Sequence, residues 1–208
     1  MNFRATLTAF AFAASSYGAV ISLHSSNSGI SNLSVVETAG DITLTYDVTG
    51  TGPGVILFQR FTGGKAIIHN ATNLTGVAID RYAMELLDVL GDGDDGLDPL
   101  PYPAFVPVGF STSNDFDGLT FGDPRSSSAF ASILIDELTN ARDFNDYFNG
   151  SVASGGAFTI NHFLFPLVNH GDFLLFIRPN TSSVVPEPST YAMIGAGIGA
   201  LLIARRRR

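Results

Sequence analysis

The 208-residue chain is 45% hydrophobic and 11% aromatic, enough apolar side chain to bury one core, which excludes wholesale disorder. It contains no cysteine, which excludes disulfides, a reactive thiol and thiolate metal sites. With Arg4, Glu187 and Arg205, Arg206, Arg207 and Arg208 at the two ends set aside, six basic and eighteen acidic side chains remain, a net charge of about −12 that argues against nucleic-acid phosphates and anionic lipid as partners.

Residues 1–19 read as a secretory signal peptide. Arg4 supplies the early positive charge, Ala5 to Ala14 the apolar run, and Ser15-Ser16-Tyr17-Gly18-Ala19 the small residues that a signal peptidase accepts. Cleavage fits after Ser16, Gly18 or Ala19, with Tyr17 at −3 disfavouring the last. The run is too short to span a bilayer; the alternative is a first strand or buried helix of the domain.

Residues 20–181 form the expected exported domain, and most of it reads as strand. Asp41 to Val48 alternates apolar and polar, as a half-buried strand does, and stops at Thr49-Gly50-Thr51-Gly52-Pro53-Gly54, a strong turn signal. Val55 to Phe58 and Ala66 to His69 follow, split by Gly63-Gly64 at a hairpin-like spacing. Further candidates are Phe105 to Phe110, Ser128 to Ile135, Ala157 to Phe165 and Phe173 to Arg178. Two segments depart from this pattern. Ile79, Tyr82, Ala83, Leu86 and Leu90 recur at helical spacing, so 79–90 is a candidate helix ended by Gly91. Residues 136–148 read as helix or irregular loop. Short strands, frequent glycine, asparagine and serine breaks and the absence of a βαβ rhythm make the fold class mainly β, an antiparallel β-sandwich or jelly-roll-like domain.

The sharpest local feature of the domain is Asp88-Val89-Leu90-Gly91-Asp92-Gly93-Asp94-Asp95-Gly96-Leu97-Asp98. Carboxylates on a glycine-rich loop suit calcium, which needs six to eight converging oxygens, and Asp92, Asp94, Asp95 and Asp98 are the candidate ligands. The EF-hand spacing fails, however. Counting from Asp88, Leu90 takes the third position and Pro99 the twelfth; counting from Asp92, Gly96 takes the fifth. A solvated acidic loop is the reading that the spacing favours. Asn114-Asp115-Phe116-Asp117-Gly118 is a weaker version of the same feature. His24, His69, His162 and His170 lack metal-ligand spacing and read as structural, with His69 and His162 able to meet in space. No Gly-x-Ser-x-Gly elbow, phosphate-binding loop or His-Glu-x-x-His occurs. Two carboxylates facing one cleft would be needed for a glycosidase, and the sequence does not select a pair. Tyr102 and Phe116 are candidate sugar-stacking aromatics, with packing as the simpler role.

The last segment, 182–208, is the most specific. Val185-Pro186-Glu187-Pro188-Ser189 precedes Thr190, an uncharged apolar stretch from Tyr191 to Ala204, and four arginines. The two prolines exclude a helix interior and hold the backbone extended and accessible. As a helix the 14-residue stretch is about 21 Å long, short of a ~30 Å hydrocarbon core unless Ser189 and Thr190 are drawn in and the arginines snorkel. Arg205, Arg206, Arg207 and Arg208 stay on the cytoplasmic side, which places the domain outside, the same orientation that a cleaved leader gives.

These residues resemble the PEP-CTERM sorting signal: Val-Pro-Glu-Pro-Ser, a short apolar helix and a terminal arginine run, in that order. The resemblance implies recognition by exosortase, a membrane-embedded cysteine enzyme that cuts near the motif, with Pro186, Glu187 and Pro188 as the recognition element. It implies passage through the secretion machinery, transient anchoring in the inner membrane, delivery to the cell surface or exterior, and an association with exopolysaccharide and biofilm. The expected function is a non-enzymatic surface or matrix protein. The alternative is a secreted carbohydrate-binding sandwich module, steadied by calcium, and a third reading is a secreted hydrolase.

Overall fold

The computed structural model describes residues 18–89, 107–112, 118–136, 143–166 and 171–180. Within them the chain forms twelve strands: β1 Val20–Leu23, β2 Ile30–Glu37, β3 Asp41–Val48, β4 Gly54–Gln59, β5 Lys65–Asn73, β6 Tyr82–Val89, β7 Phe110–Thr112, β8 Leu119–Ser127, β9 Phe130–Asp136, β10 Phe144–Gly150, β11 Ala157–Pro166 and β12 Phe173–Pro179. They build two sheets. One has the order β1-β4-β12-β6-β10-β9, with β7 also on β6; the other runs β2-β3-β5-β11-β8.

The period-2 pattern explains how the sheets pack. In β3, Ile42, Leu44, Tyr46 and Val48 are buried while their alternates face outward. Their inward side chains join Ile67 and Ala71 of β5 and Phe158, Ile160 and Leu164 of β11. From the other sheet come Ile56 and Phe58 of β4, Tyr82, Met84 and Leu86 of β6, and Phe173, Leu175 and Ile177 of β12, so one core lies between two layers. Phe58 stacks on Phe173 with ring centroids 4.9 Å apart, and Phe61 meets both edge-on at 5.8 and 5.6 Å. Such pairs contribute roughly 1 kcal/mol each beyond their buried area. A smaller cluster, Val55, Leu87, Leu174 and Phe176, is buried on the outer face of the larger sheet.

Three sequence expectations change here. The segment expected as a helix over 79–90 is mostly β6, a central strand hydrogen-bonded to both β12 and β10. Its residues from Tyr82 to Asp88 are buried on both faces. A strand without a solvent side carries no two-residue alternation, so its apolar run mimics helical spacing. Residues 144–150, which overlap the segment 136–148 read as helix or loop, form β10. Its pattern was hidden because Asn145 and Asp146 are polar yet wholly buried. Finally, Val55 to Phe58 and Ala66 to His69 do not make a hairpin. The chain crosses between sheets after β4, and β5 pairs parallel with β3, Leu44 opposite His69 and Thr45 opposite Asn70. The sandwich is therefore antiparallel apart from this one ladder among the described residues. Residues 1–17, 90–106 and 181–208 lie outside those residues, and with them most of the expected signal peptide, the acidic loop and the sorting tail.

The two ends of the sandwich differ. Residues 24–29, 49–53, 74–81, 128–129 and 151–156 connect strands at the end where β12 finishes, as the registers of β6, β4 and β10 require. Gly150 sits there because its backbone passes tightly over Ala129: a Cβ would lie 1.9 Å from the Ala129 carbonyl oxygen. Asn180 closes β12. It adopts a φ of 57°, a left-handed conformation that asparagine tolerates, and donates its backbone N–H to the Arg81 carbonyl at 2.7 Å. Its side chain accepts from the Asp80 N–H at 2.8 Å and donates to the Ala78 carbonyl at 2.9 Å.

Candidate functional site

Two features of the described fold carry buried polar chemistry, one between the sheets and one on the outer face of the larger sheet. The first begins at Tyr82 on β6, whose hydroxyl is 2.7 Å from that of Tyr46 on β3. Tyr46 in turn lies 3.0 Å from Nδ1 of His69 on β5, and His69 Nε2 lies 2.9 Å from His162 Nε2 on β11. All four residues are at most 1% exposed. Inward register puts them there: His69 stands opposite Ile160 on the β5–β11 ladder, and His162 follows two residues later on the same face. Phe121 packs edge-on against His162 at 4.9 Å.

One proton order satisfies every contact of the chain. His162 Nδ1 faces the Phe163 carbonyl at 3.5 Å, and a carbonyl can only accept. In that order His162 Nδ1 carries the hydrogen, and Nε2 accepts from His69 Nε2–H. His69 Nδ1 then accepts from the Tyr46 hydroxyl, whose oxygen accepts from Tyr82. Every group is satisfied with both imidazoles neutral. Burial pushes His162 down to about 3, with Arg125 pushing the same way and the Phe163 carbonyl opposing. Burial, then the neighbouring His162, holds His69 well below the ordinary imidazole range. Burial likewise raises the Tyr46 and Tyr82 hydroxyls above the usual phenol range. Groups sealed from solvent and held neutral cross-link the two sheets; they do not meet a substrate arriving from water.

The second feature lies on the outer face of the larger sheet. Glu85 of β6 pairs with Arg178 of β12, and Arg81 approaches Asp146 of β10 at 3.6 Å. Glu85 is 1% exposed and Asp146 0%. Arg81 also lies over the Phe148 ring at 5.3 Å, and Arg178 over Phe176 at 5.7 Å. These carboxylates are close in register, since Glu85 faces Phe144 and Asp146 faces Ala83. Each is taken up by an arginine rather than turned to an open cleft. Sequence reading missed both because β6 and β10 were not recognised as adjacent strands.

On the inward side of β10, Asn145 stands opposite Met84 and is fully buried, and neither of its amide atoms has a hydrogen-bond partner. Among the described residues no group of three or more histidine, aspartate or glutamate side chains is placed to hold a metal ion. His24 bonds Ser26 at 2.8 Å and packs edge-on against Phe110. The candidate calcium ligands Asp92, Asp94, Asp95 and Asp98 lie outside the described residues, as do Asp115, Asp117, Tyr102, Phe116 and His170. So do Pro186, Glu187, Pro188 and Arg205, Arg206, Arg207 and Arg208. No helix among the described residues is long and apolar enough to cross a membrane.

The described residues thus define a mainly β sandwich, and a recognisable sorting signal lies after its last strand. Residues 184–208 match the model of the PEP-CTERM protein-sorting motif. The motif is an exosortase recognition signal, so the chain is an exported protein processed at the membrane and destined for the cell surface or exterior. No curated protein and no solved structure matches the chain.

Proposed function

We propose that this chain is a non-enzymatic surface or matrix protein: exported behind its leader, held briefly in the inner membrane by its tail, then cut near Pro186, Glu187 and Pro188. The observation that carries this reading is the sorting motif at 184–208, which starts four residues after Asn180 closes the last strand. Its delivery to a biofilm or exopolysaccharide belongs to the same reading. Intact mass of the mature protein, made with and without exosortase, tests it. Loss of the arginine run only where exosortase is present supports it, and Arg208 retained in both ends it.

A second reading, binding of neutral carbohydrate, draws on the outer face of the smaller sheet. A shallow depression of about 220 Å³ there is lined by Thr45, Asn70, Thr72, Ser128 and Thr159, hydroxyl and amide groups without a charge. Farther along β11, the Phe163 and Phe165 rings lie with centroids 4.3 Å apart, tilted by 36°. Retardation of the protein in gels containing neutral polysaccharide, lost in Asn70→Ala with Thr159→Ala, tests this reading, and unretarded wild type removes it. The acidic stretch from Asp92 to Asp98 is read as solvated charge. A ligand that binds only the folded state must raise Tm, so equal melts with calcium and with EDTA are expected, and a higher Tm in calcium would establish a cation site.

A further inference from the structure

We propose that the end of the sandwich from which the tail leaves faces the membrane, and that the loop from Leu74 to Val77 touches the lipid surface while the precursor is anchored. The inference rests on the anchoring just proposed and adds a contact that anchoring does not require. Three independent observations carry it.

The first is reach. Ten residues separate Asn180 from Tyr191, where the apolar stretch starts. Fully extended they span at most about 35 Å, and the first proline of the motif lies within about 20 Å of the fold. Asn180 is fixed to Ala78, Asp80 and Arg81 by three hydrogen bonds, so this tether begins at one defined point on the sandwich.

The second is what stands beside that point. Leu74 is 50% exposed and Val77 51%, on a loop held rigidly by Asn73, whose amide donates to the Val77 and Val152 carbonyls at 2.8 Å. Thr75 donates to Asn73 Oδ1 at 2.7 Å and closes the turn. Two large apolar side chains held outward on a braced loop suit the interface of a bilayer.

The third is charge. The connections at this end contain Asp80 and Arg81 as their charged residues, which cancel, and the nearby Asp47 of β3 is half-buried and accepts from the Asn32 amide at 2.7 Å. Glu37, Asp41, Asp88 and Asp172 lie at the opposite end. These carboxylates point away from the bilayer, and an end with little net charge and an apolar tip faces it. Two side chains alone would bind lipid weakly, but a short tether supplies a high effective concentration. Cleavage at the motif removes the tether, so the contact ends when the domain is released.

A chain without cysteine accepts a single reporter thiol at any chosen position. Full-length Val77→Cys, Gly40→Cys and Met193→Cys would each carry a nitrobenzoxadiazole label and be reconstituted in phosphatidylethanolamine–phosphatidylglycerol vesicles, with and without nitroxide-labelled lipid. Gly40 is an exposed turn position at the far end with open space around it. The expected result is blue-shifted, nitroxide-quenched emission at residues 193 and 77, and water-like emission at 40. Adding Leu74→Asn should weaken the quenching at 77. A lipid signal at 193 with water-like emission at 77 overturns this inference and leaves the anchoring intact; water-like emission at 193 removes both. Blue-shifted emission at 77 that lipid nitroxide does not quench also overturns it, because a protein surface then covers the loop.

Discussion

Removing the hydroxyl of Tyr46 tests the proton order assigned to the buried chain, because that oxygen serves two partners at once. In the assigned order it donates to His69 Nδ1, 3.0 Å away, and accepts from Tyr82, 2.7 Å away. Phenylalanine fills nearly the same volume, so Tyr46→Phe leaves packing in place and strands two fully buried polar groups. Each orphan costs roughly 1 to 3 kcal/mol, giving a loss of roughly 2 to 6 kcal/mol, a large part of a domain's typical ~5 to 15. Tyr82→Phe removes only a donor to an oxygen that keeps its own bond to His69, and costs about 1 kcal/mol. The double variant leaves only His69 stranded. Tyr82→Phe should therefore be neutral or stabilising in the Tyr46→Phe background although it destabilises the wild type, a coupling that a double-mutant cycle reads directly. Urea titration of the processed protein, followed by circular dichroism, gives the four free energies. Strictly additive losses, or Tyr82→Phe costing as much as Tyr46→Phe, would refute the assigned direction.

Three further outcomes follow from the same geometry. The His162 folded value of about 3 lies below the unfolded 6.5, so falling pH protonates the unfolded chain first. Stability is full above about pH 6.5 and lost as pH drops toward 3, by roughly 2 kcal/mol at pH 5 from His162, with His69 acting in the same direction; urea midpoints at pH 7 and 5 measure it, and His162→Gln should shrink the difference. Gly150→Ala should destabilise more than Gly122→Ala. The first drives a Cβ to 1.9 Å from a backbone carbonyl oxygen, whereas the second meets the Phe165 ring at 2.1 Å, which can swing aside; thermal melts rank the two. Asn145→Leu should raise stability by about 1 kcal/mol, since it replaces a buried amide that has no partner, and a loss instead would show an internal water bound there.

How much was legible depended on whether a strand keeps one face in water. β3 is half-buried, and its alternation from Asp41 to Val48 marked both its limits and its inward residues. The central strands β6 and β12 are buried on both sides and carry no such period; β12 was still found because Phe173 to Arg178 is a compact apolar run, whereas β6 was mistaken for helix. Short-range spacing also failed where the chain changes sheets, as between β4 and β5, because a crossing and a hairpin have the same glycines between similar strands. Among the histidines, sequence reading allowed that His69 and His162 meet, but not that Tyr46 and Tyr82 complete the line, since tyrosines in strands read as packing. The sorting motif was legible, because recognition of a short linear motif needs order and composition rather than tertiary contact.

The buried chain also answers a problem that composition poses. An exported domain without cysteine cannot tie its sheets together covalently, and apolar packing between two faces tolerates sliding. A hydrogen bond across that interface does not. Tyr46 belongs to the smaller sheet and Tyr82 to the larger, and their 2.7 Å contact fixes the register of one layer on the other. Through His69 and His162 the same line runs across β3, β5 and β11, so a displacement at any strand strands a buried polar atom elsewhere. Specificity of layer packing, more than net stability, is what such a line supplies, and it ends at β6, the strand that begins beside Asn180 and the departing tail.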